Sequence, residues 1–434
     1  MESRHLTLTL VYDALWKLSV TIMSSIRDFL ALACACIFAV SHVRASSQCA
    51  NAMQHFAAQV QAPLQLEQCL EADADSRPPE AMPSFQHPVW SHEPVCIKGK
   101  EKDYCTHTSA KLRCGHGLSI IATPVAADKV VAAYLAHTTK RQDMQDGLEV
   151  RSVPGKGKGL FTTKPIKKGE TILLDPARII ASSQFPTQMS RSQGQTLFET
   201  ASEQLPEEDR GVVGALDQSL GGSKMEDIMK TNAFACQLAD GKVDDAYMCL
   251  FPYVARINHA CQPNAHARFV PTTLSMEVKA QRDVTVGEEI NISYGRVDLK
   301  YSERQKLYRD GWNFACTCSL CKAPRYEIQQ SDQRRDRFAQ LRNMLENLTA
   351  ETYDAQQIVA GEKEVMAIAH SEGLELLLAP DYERLAYVYA GHGMRKDARL
   401  WAEKAKESLL EWVVVDGGPD NEAKRVSNLL RELQ

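Results

Sequence analysis

Cys316-Thr317-Cys318-Ser319-Leu320-Cys321 sets three thiols within six residues in a C-x-C-x-x-C pattern. Three thiolates are one short of the four that close a tetrahedral Zn2+ site. A fourth stands in an earlier stretch, Arg256-Ile257-Asn258-His259-Ala260-Cys261-Gln262-Pro263-Asn264. A metal held by Cys261, Cys316, Cys318 and Cys321 would pin the later segment over the Asn-His loop. Four thiolates leave no open coordination position, so the zinc expected here is structural, not catalytic. The competing reading is three unrelated thiols in a turn. Tight spacing and a composite motif would both then be accidents.

Two further pieces flank the Asn-His loop. Upstream is the glycine turn Pro154-Gly155-Lys156-Gly157-Lys158-Gly159-Leu160-Phe161. Downstream is Gly287-Glu288-Glu289-Ile290-Asn291-Ile292-Ser293-Tyr294, and Phe314-Ala315-Cys316 opens the thiol cluster. Together, in this order, they resemble the SET-domain protein lysine methyltransferases. Asn258 to Asn264 is similar to that family's N-H-S-C-x-P-N signature, and the last piece to its post-SET zinc cluster. The likeness spans about residues 148–322 and is nearest the SET- and MYND-like branch, although residues 46–147 hold no C-x-x-C pairs for a MYND module. Ala260 departs from the usual Ser, which removes a hydroxyl but no metal ligand.

The resemblance implies S-adenosyl-L-methionine as methyl donor and a lysine-presenting protein as acceptor. It places Tyr294 as the catalytic residue, orienting the amine with its phenol, and counts it among the cofactor-binding residues as well. The main chain of Lys156, Gly157 and Lys158 would hold the methionine end of the cofactor. Asn232, in Thr231-Asn232-Ala233-Phe234, resembles a cofactor-contacting Asn; a helix cap or turn residue is the equal alternative. Asn258 and His259 resemble the cofactor-binding pair, and Phe314 the aromatic that stacks on adenine. Read without the family, Tyr294 and Phe314 are core aromatics and His259 a satisfied core histidine. Cys236 and Cys249 read as small buried hydrophobes.

A chain of 434 residues holds two or three domains. The expected fold class is α+β: a mostly β SET domain of short strands with a helical insertion, a post-SET zinc cluster and a C-terminal α-helical, TPR-like lobe. Residues 46–147 form an N-terminal region of uncertain fold, with 96–122 reading as short strands and turns. The SET domain covers 148–297, with the insertion at 182–250 and Thr196–Gln204 and Met225–Leu238 as its expected helices. Residues 298–322 form the zinc-binding segment. Residues 323–434 turn helical, and apolar spacing over 382–390 and 398–410 predicts a helical pair.

A net charge of −5 offers nucleic acid no general attraction. The apolar run from Phe29 to Val40 is too short to span a bilayer. With Val43-Arg44-Ala45 after it, 1–45 reads as a signal peptide, best formed if translation starts at Met23. A zinc–thiolate site and this cofactor favour cytoplasm or nucleus instead, so the compartment stays open. Cys49, Cys69, Cys96, Cys105 and Cys114 are candidates for disulfides. The function expected is protein-lysine N-methylation. Its rivals are a catalytically silent binding scaffold and an enzyme acting on a non-lysine acceptor.

Overall fold

Six strands form one sheet, in the spatial order Val95–Lys98, Asp103–Arg113, His116–Ala122, Ile179–Ser182, Ala246–Leu250 and Phe234–Gln237. Only the pairing of His116–Ala122 with Ile179–Ser182 is parallel. The computed structural model describes residues 89–113, 116–135, 146–237, 246–271, 273–413 and 421–434. The expected signal segment 1–45, and Cys49, Cys69 and Cys114, lie outside these residues. No helix among the described residues is long and apolar enough to cross a membrane.

His116–Ala122 is buried along its whole length, as a strand covered on both faces must be. One face meets a core that includes Leu118, Ile120, Leu160, Leu173, Phe251 and Val278. The other core gathers Ile121, Ile179 and Leu250 against Phe185, Leu197, Phe198 and Ile228 from the helices of 185–232. Strands from residues 95–122 therefore share a sheet and a core with strands from 179–250. At the sheet edge Cys96 and Cys105 stand opposite each other and form a disulfide.

The insertion is helical only as far as Asn232. Its main helices are Arg191–Glu203 and Lys224–Asn232, each shifted from the expected span. The first begins earlier because Ser190 and Gln193 form a reciprocal capping box. The second stops at Ala233, whose backbone is extended, and Phe234–Gln237 pairs in the sheet instead of continuing the helix.

Three short pairings bring the sequence motifs together. Gly157–Thr162 pairs antiparallel with Leu148–Val153. On its other side the Ile290 N–H donates to the Leu160 carbonyl at 2.8 Å. Asn258–His259 then runs parallel to Asn291–Ile292. Gly159 sits where these segments meet. A Cβ there would lie 2.7 Å from Glu289 Oε1, 2.8 Å from Val153 Cγ2 and 2.9 Å from Asn258 Nδ2. Gly159→Ala is therefore expected to destabilise the protein by about 1–3 kcal/mol through overpacking. Denaturant unfolding checks this, with Gly211→Ala as the comparison: nothing lies within 4 Å there, and alanine inside the helix Glu207–Gly214 should if anything stabilise.

Residues from 325 onward are helical: Arg325–Glu346, Ala355–Glu372, Ala379–Gly391, Arg395–Ser408 and Asn421–Glu432. Phe338, Leu341, Ile358, Val365 and Leu378 form one core, and Ala386, Ala402, Ala405 and Val426 another. The expected pair is present, with small alanines closing it around the Gly393 turn. The lobe docks through polar contacts: Gln262 Nε2 donates to the Glu372 carbonyl at 3.4 Å, and Arg268 Nη1 to the Leu410 carbonyl at 2.9 Å.

Candidate active site

The four sulfurs of Cys261, Cys316, Cys318 and Cys321 all lie within 4.8 Å of one another. Cys261 Sγ is 3.7 Å from Cys316 Sγ and 3.5 Å from Cys321 Sγ. A Zn–S distance of about 2.3 Å makes the edge of a regular sulfur tetrahedron about 3.8 Å. The spacing thus fits a closed structural zinc site. Among the crowded thiols Cys261 is pushed well above the usual thiol range by its three neighbours, whereas Cys318 and Cys321 are lowered. A divalent cation removes that obstacle to deprotonation. Gln305 fixes the segment, donating Nε2–H to the Cys316 carbonyl at 2.8 Å and accepting the Cys316 N–H at 3.1 Å.

His259 joins the sulfur cluster to Tyr294. Its Nδ1 accepts the Tyr294 N–H at 3.2 Å, and its Nε2 lies 3.3 Å from Cys261 Sγ. The ring centroid is 4.0 Å from that of Tyr308. An accepting Nδ1 requires the neutral tautomer with the proton on Nε2. Burial, first among its influences, lowers the pKa to about 4. In the unfolded chain a histidine binds its proton near 6.5, so between about 6.5 and 4 the unfolded state holds the extra proton. Stability accordingly falls as pH drops through that window, by on the order of 3 kcal/mol. Urea unfolding of the wild type and His259→Asn between pH 7 and 4.5 checks this: relative to the variant, the wild type should lose stability progressively as pH falls.

Tyr294 donates its hydroxyl to the Ile257 carbonyl at 2.8 Å. Trp312 and Phe314 pack beside it, with ring centroids at 5.5 and 6.3 Å. Burial, reinforced by the charges of Glu289 and Asp217, pushes the phenol well above its ordinary range. It remains a neutral hydrogen-bonding group at physiological pH. Phe314 is half-buried and stacks in parallel on Tyr308 at 5.5 Å.

The Asn258 side chain is occupied within the protein. Its Nδ2 donates to Glu289 Oε1 at 2.7 Å and to the Lys158 carbonyl at 3.2 Å. It thereby fastens the glycine turn to the downstream strand, and Lys156 Nζ meets the same Glu289 carboxylate at 3.3 Å. Asn232 ends its helix and donates Nδ2–H to the carbonyls of Ile228 and Asp217, both at 2.8 Å. Both donations use the amide nitrogen, so Oδ1 is left as an acceptor for a ligand.

Two residues without an assigned role in the sequence organise this region. Asn264 donates to the Glu289 carbonyl at 2.9 Å and accepts the Asn291 N–H at 2.8 Å, locking the Asn-His loop to the Tyr294 strand. Asp217 is the other. Its carboxylate meets Arg256 at 3.5 Å and would stand 3.3 Å from a Cβ on Gly157, and its carbonyl takes the Asn232 amide. Glycine turn and Arg256 thus meet the Asp217 carboxylate and Asn232 its main-chain carbonyl, and the charge of that carboxylate also reaches Tyr294. Asn264 was visible as the last residue of its motif. Asp217 lies in a polar loop with no distinguishing pattern.

Residues 157–295 match the SET domain family, and the chain carries that domain. Its similarity to curated proteins is partial. It is 27% identical over 172 residues to the histone-lysine N-methyltransferase set5 of Schizosaccharomyces pombe, covering 38% of this chain and 52% of that protein. It is 32% identical over 104 residues to the histone-lysine N-methyltransferase ATXR4 of Arabidopsis thaliana, covering 24% and 30%. It is 32% identical over 85 residues to the histone-lysine N-methyltransferase SMYD3 of Homo sapiens, covering 20% and 19%. The chain thus spans about half the length of set5 and less than a third of the other two.

Proposed function

We propose that this chain is an S-adenosylmethionine-dependent protein-lysine N-methyltransferase with a structural zinc centre. The observation that carries the reading is convergence. A neutral phenol, the glycine turn, the Asn258–His259 pair and a half-exposed Phe314 lie together, with Phe314 two residues from the first sulfur of the cluster.

When bound, S-adenosylmethionine supplies a methyl group activated on a sulfonium. The main chain of Lys156, Gly157 and Lys158, with Asn232 Oδ1, holds its polar methionine end. His259 and Asn258 keep the floor of the site rigid through the contacts described above. The ring of Phe314 offers a flat apolar surface for a heteroaromatic base. Cys261, Cys316, Cys318 and Cys321 hold Zn2+, which keeps Phe314 and Trp312 in place beside Tyr294.

Glu289 and Asp217 draw a cationic side chain toward Tyr294. A free lysine holds its proton up to about pH 10.4, so solvent must take that proton before the amine attacks. Tyr294, its own hydroxyl proton held by the Ile257 carbonyl, would accept an N–H of the neutral amine and leave the nitrogen lone pair free for the methyl group that the sulfonium would give up, with the thioether as leaving group. Alignment in a site that excludes water supplies most of the rate. The partner is a protein presenting an exposed lysine. Resemblance to histone-lysine N-methyltransferases places histone tails first among the substrates to test.

The deciding experiment incubates zinc-loaded protein with methyl-labelled cofactor and histones, or a cell extract, beside Tyr294→Phe. Label on lysine above that control supports the reading. Cofactor binding without label on any acceptor would favour a silent scaffold, and label on another residue type would change the acceptor.

A further inference from the structure

Beside the sulfur cluster stands a cation that no motif announces. Arg304, on the helix Tyr301–Trp312, is only 2% exposed. Its Nε lies 3.5 Å from Cys321 Sγ, and its Nη1 donates to the Leu299 carbonyl at 3.0 Å. Its Nη2 is buried without a hydrogen-bond partner. The nearest carboxylate, Asp332, is 3.8 Å away and is engaged in accepting the Tyr301 N–H at 2.8 Å. Asp332 belongs to Arg325–Glu346, the first helix of the C-terminal lobe.

A second buried guanidinium lies on that helix. Arg335 pairs with Glu372 at 3.0 Å and donates to the carbonyl of Val297. The Glu372 carbonyl in turn receives the side chain of Gln262, the residue after Cys261. Sulfur cluster, linker 297–299 and first two lobe helices are thus joined through two arginines and one glutamate.

Burying a guanidinium is costly unless an anion compensates it. Four thiolates around Zn2+ carry a net double negative charge, and the sulfur nearest Arg304 belongs to that set. We propose that Arg304 is the counter-charge of the metal–thiolate centre, and that metal loading thereby docks the C-terminal helical lobe onto the SET domain. The inference rests on the zinc reading above. It adds a positioning residue outside the four ligands and gives the metal a second task, remote from the cofactor site.

The test measures zinc affinity by competition with a chromophoric chelator, using full-length wild type, Arg304→Gln and Arg304→Lys. Loss of an outer-shell partner is expected to weaken zinc binding by about 10- to 100-fold in Arg304→Gln, with Arg304→Lys between the two. In parallel, amide hydrogen exchange is followed on the wild type before and after chelation. Faster exchange is expected across 325–372 as well as across 314–321. An Arg304→Gln affinity within about twofold of wild type would overturn the counter-charge. Unchanged exchange across 325–372 after chelation would overturn the docking, even if the variant does not fold. A wild type that holds no zinc would defeat the zinc reading itself.

Discussion

Tyr294→Phe is expected to reduce methyl transfer by about 100-fold or more while leaving the protein folded and cofactor binding nearly intact. The substitution removes one hydroxyl, which donates to the Ile257 carbonyl at 2.8 Å. A single hydrogen bond of this kind contributes about 1 kcal/mol to stability. The ring and its contacts with Trp312, Phe314 and His259 remain. Misplacing a reacting amine by about 1 Å costs about 100-fold in rate, which is the penalty expected here. Single-turnover kinetics with labelled cofactor, paired with calorimetric binding of S-adenosylhomocysteine, separates the two effects. Equal rates in wild type and variant would remove Tyr294 from the chemistry.

The pH profile gives the same claim a second edge. Burial, then Glu289 and Asp217, raise the Tyr294 pKa, so the phenol stays protonated across the assay range. The rate should therefore climb from pH 7 to 9.5 as the substrate lysine loses its proton. No plateau from tyrosine ionisation should interrupt the climb. Were the phenolate a general base, its raised pKa would leave almost none of it in the active form at neutral pH.

Much of this site was legible because its chemistry needs particular residue types at fixed spacings. Metal coordination demands sulfur, and C-x-C-x-x-C leaves little else for three thiols to do. The Asn-His, Gly-Glu-Glu and glycine-turn pieces are likewise local. The strand Asp103–Arg113 was harder to read. Thr106, His107, Thr108 and Ser109 are buried there, and Thr108 is satisfied by Ser119 and Gln204. A buried strand rich in Thr, Ser and His lacks the apolar alternation by which strands are recognised. Its neighbour His116–Ala122 pairs with Ile179–Ser182 across more than fifty residues, and no local pattern specifies that partner. Ser190 and Gln193, by contrast, did carry a readable helix start. Asp217 and Arg304 carried no signal, because an acidic loop residue and a helical arginine are ordinary until the fold sets them beside Gly157 and Cys321.

Cys261→Ser should be the most damaging exchange of a single atom in the chain. It is expected to abolish stoichiometric zinc binding and to cut methyl transfer by at least about 100-fold. Of the four cysteines Cys261 alone lies outside the segment 316–321, so its loss removes the sulfur that ties the other three to the Asn-His loop. Phe314 and Trp312, which wall Tyr294, precede those sulfurs directly and lose their anchor with them. The serine oxygen still offers the His259 Nε2–H an acceptor, so the ring that receives the Tyr294 N–H keeps its partner. Metal analysis by mass spectrometry, label transfer and the fluorescence of Trp312 report on the three consequences separately. Cys249→Ser is the fitting comparison. That thiol is fully buried in the core that also holds Phe251, so serine there should lower stability yet leave zinc content at one per chain. If Cys261→Ser instead keeps its zinc and its rate, the sulfur quartet does not organise this site, and Phe314 and Trp312 must owe their position to Tyr308 and the helix 301–312 alone.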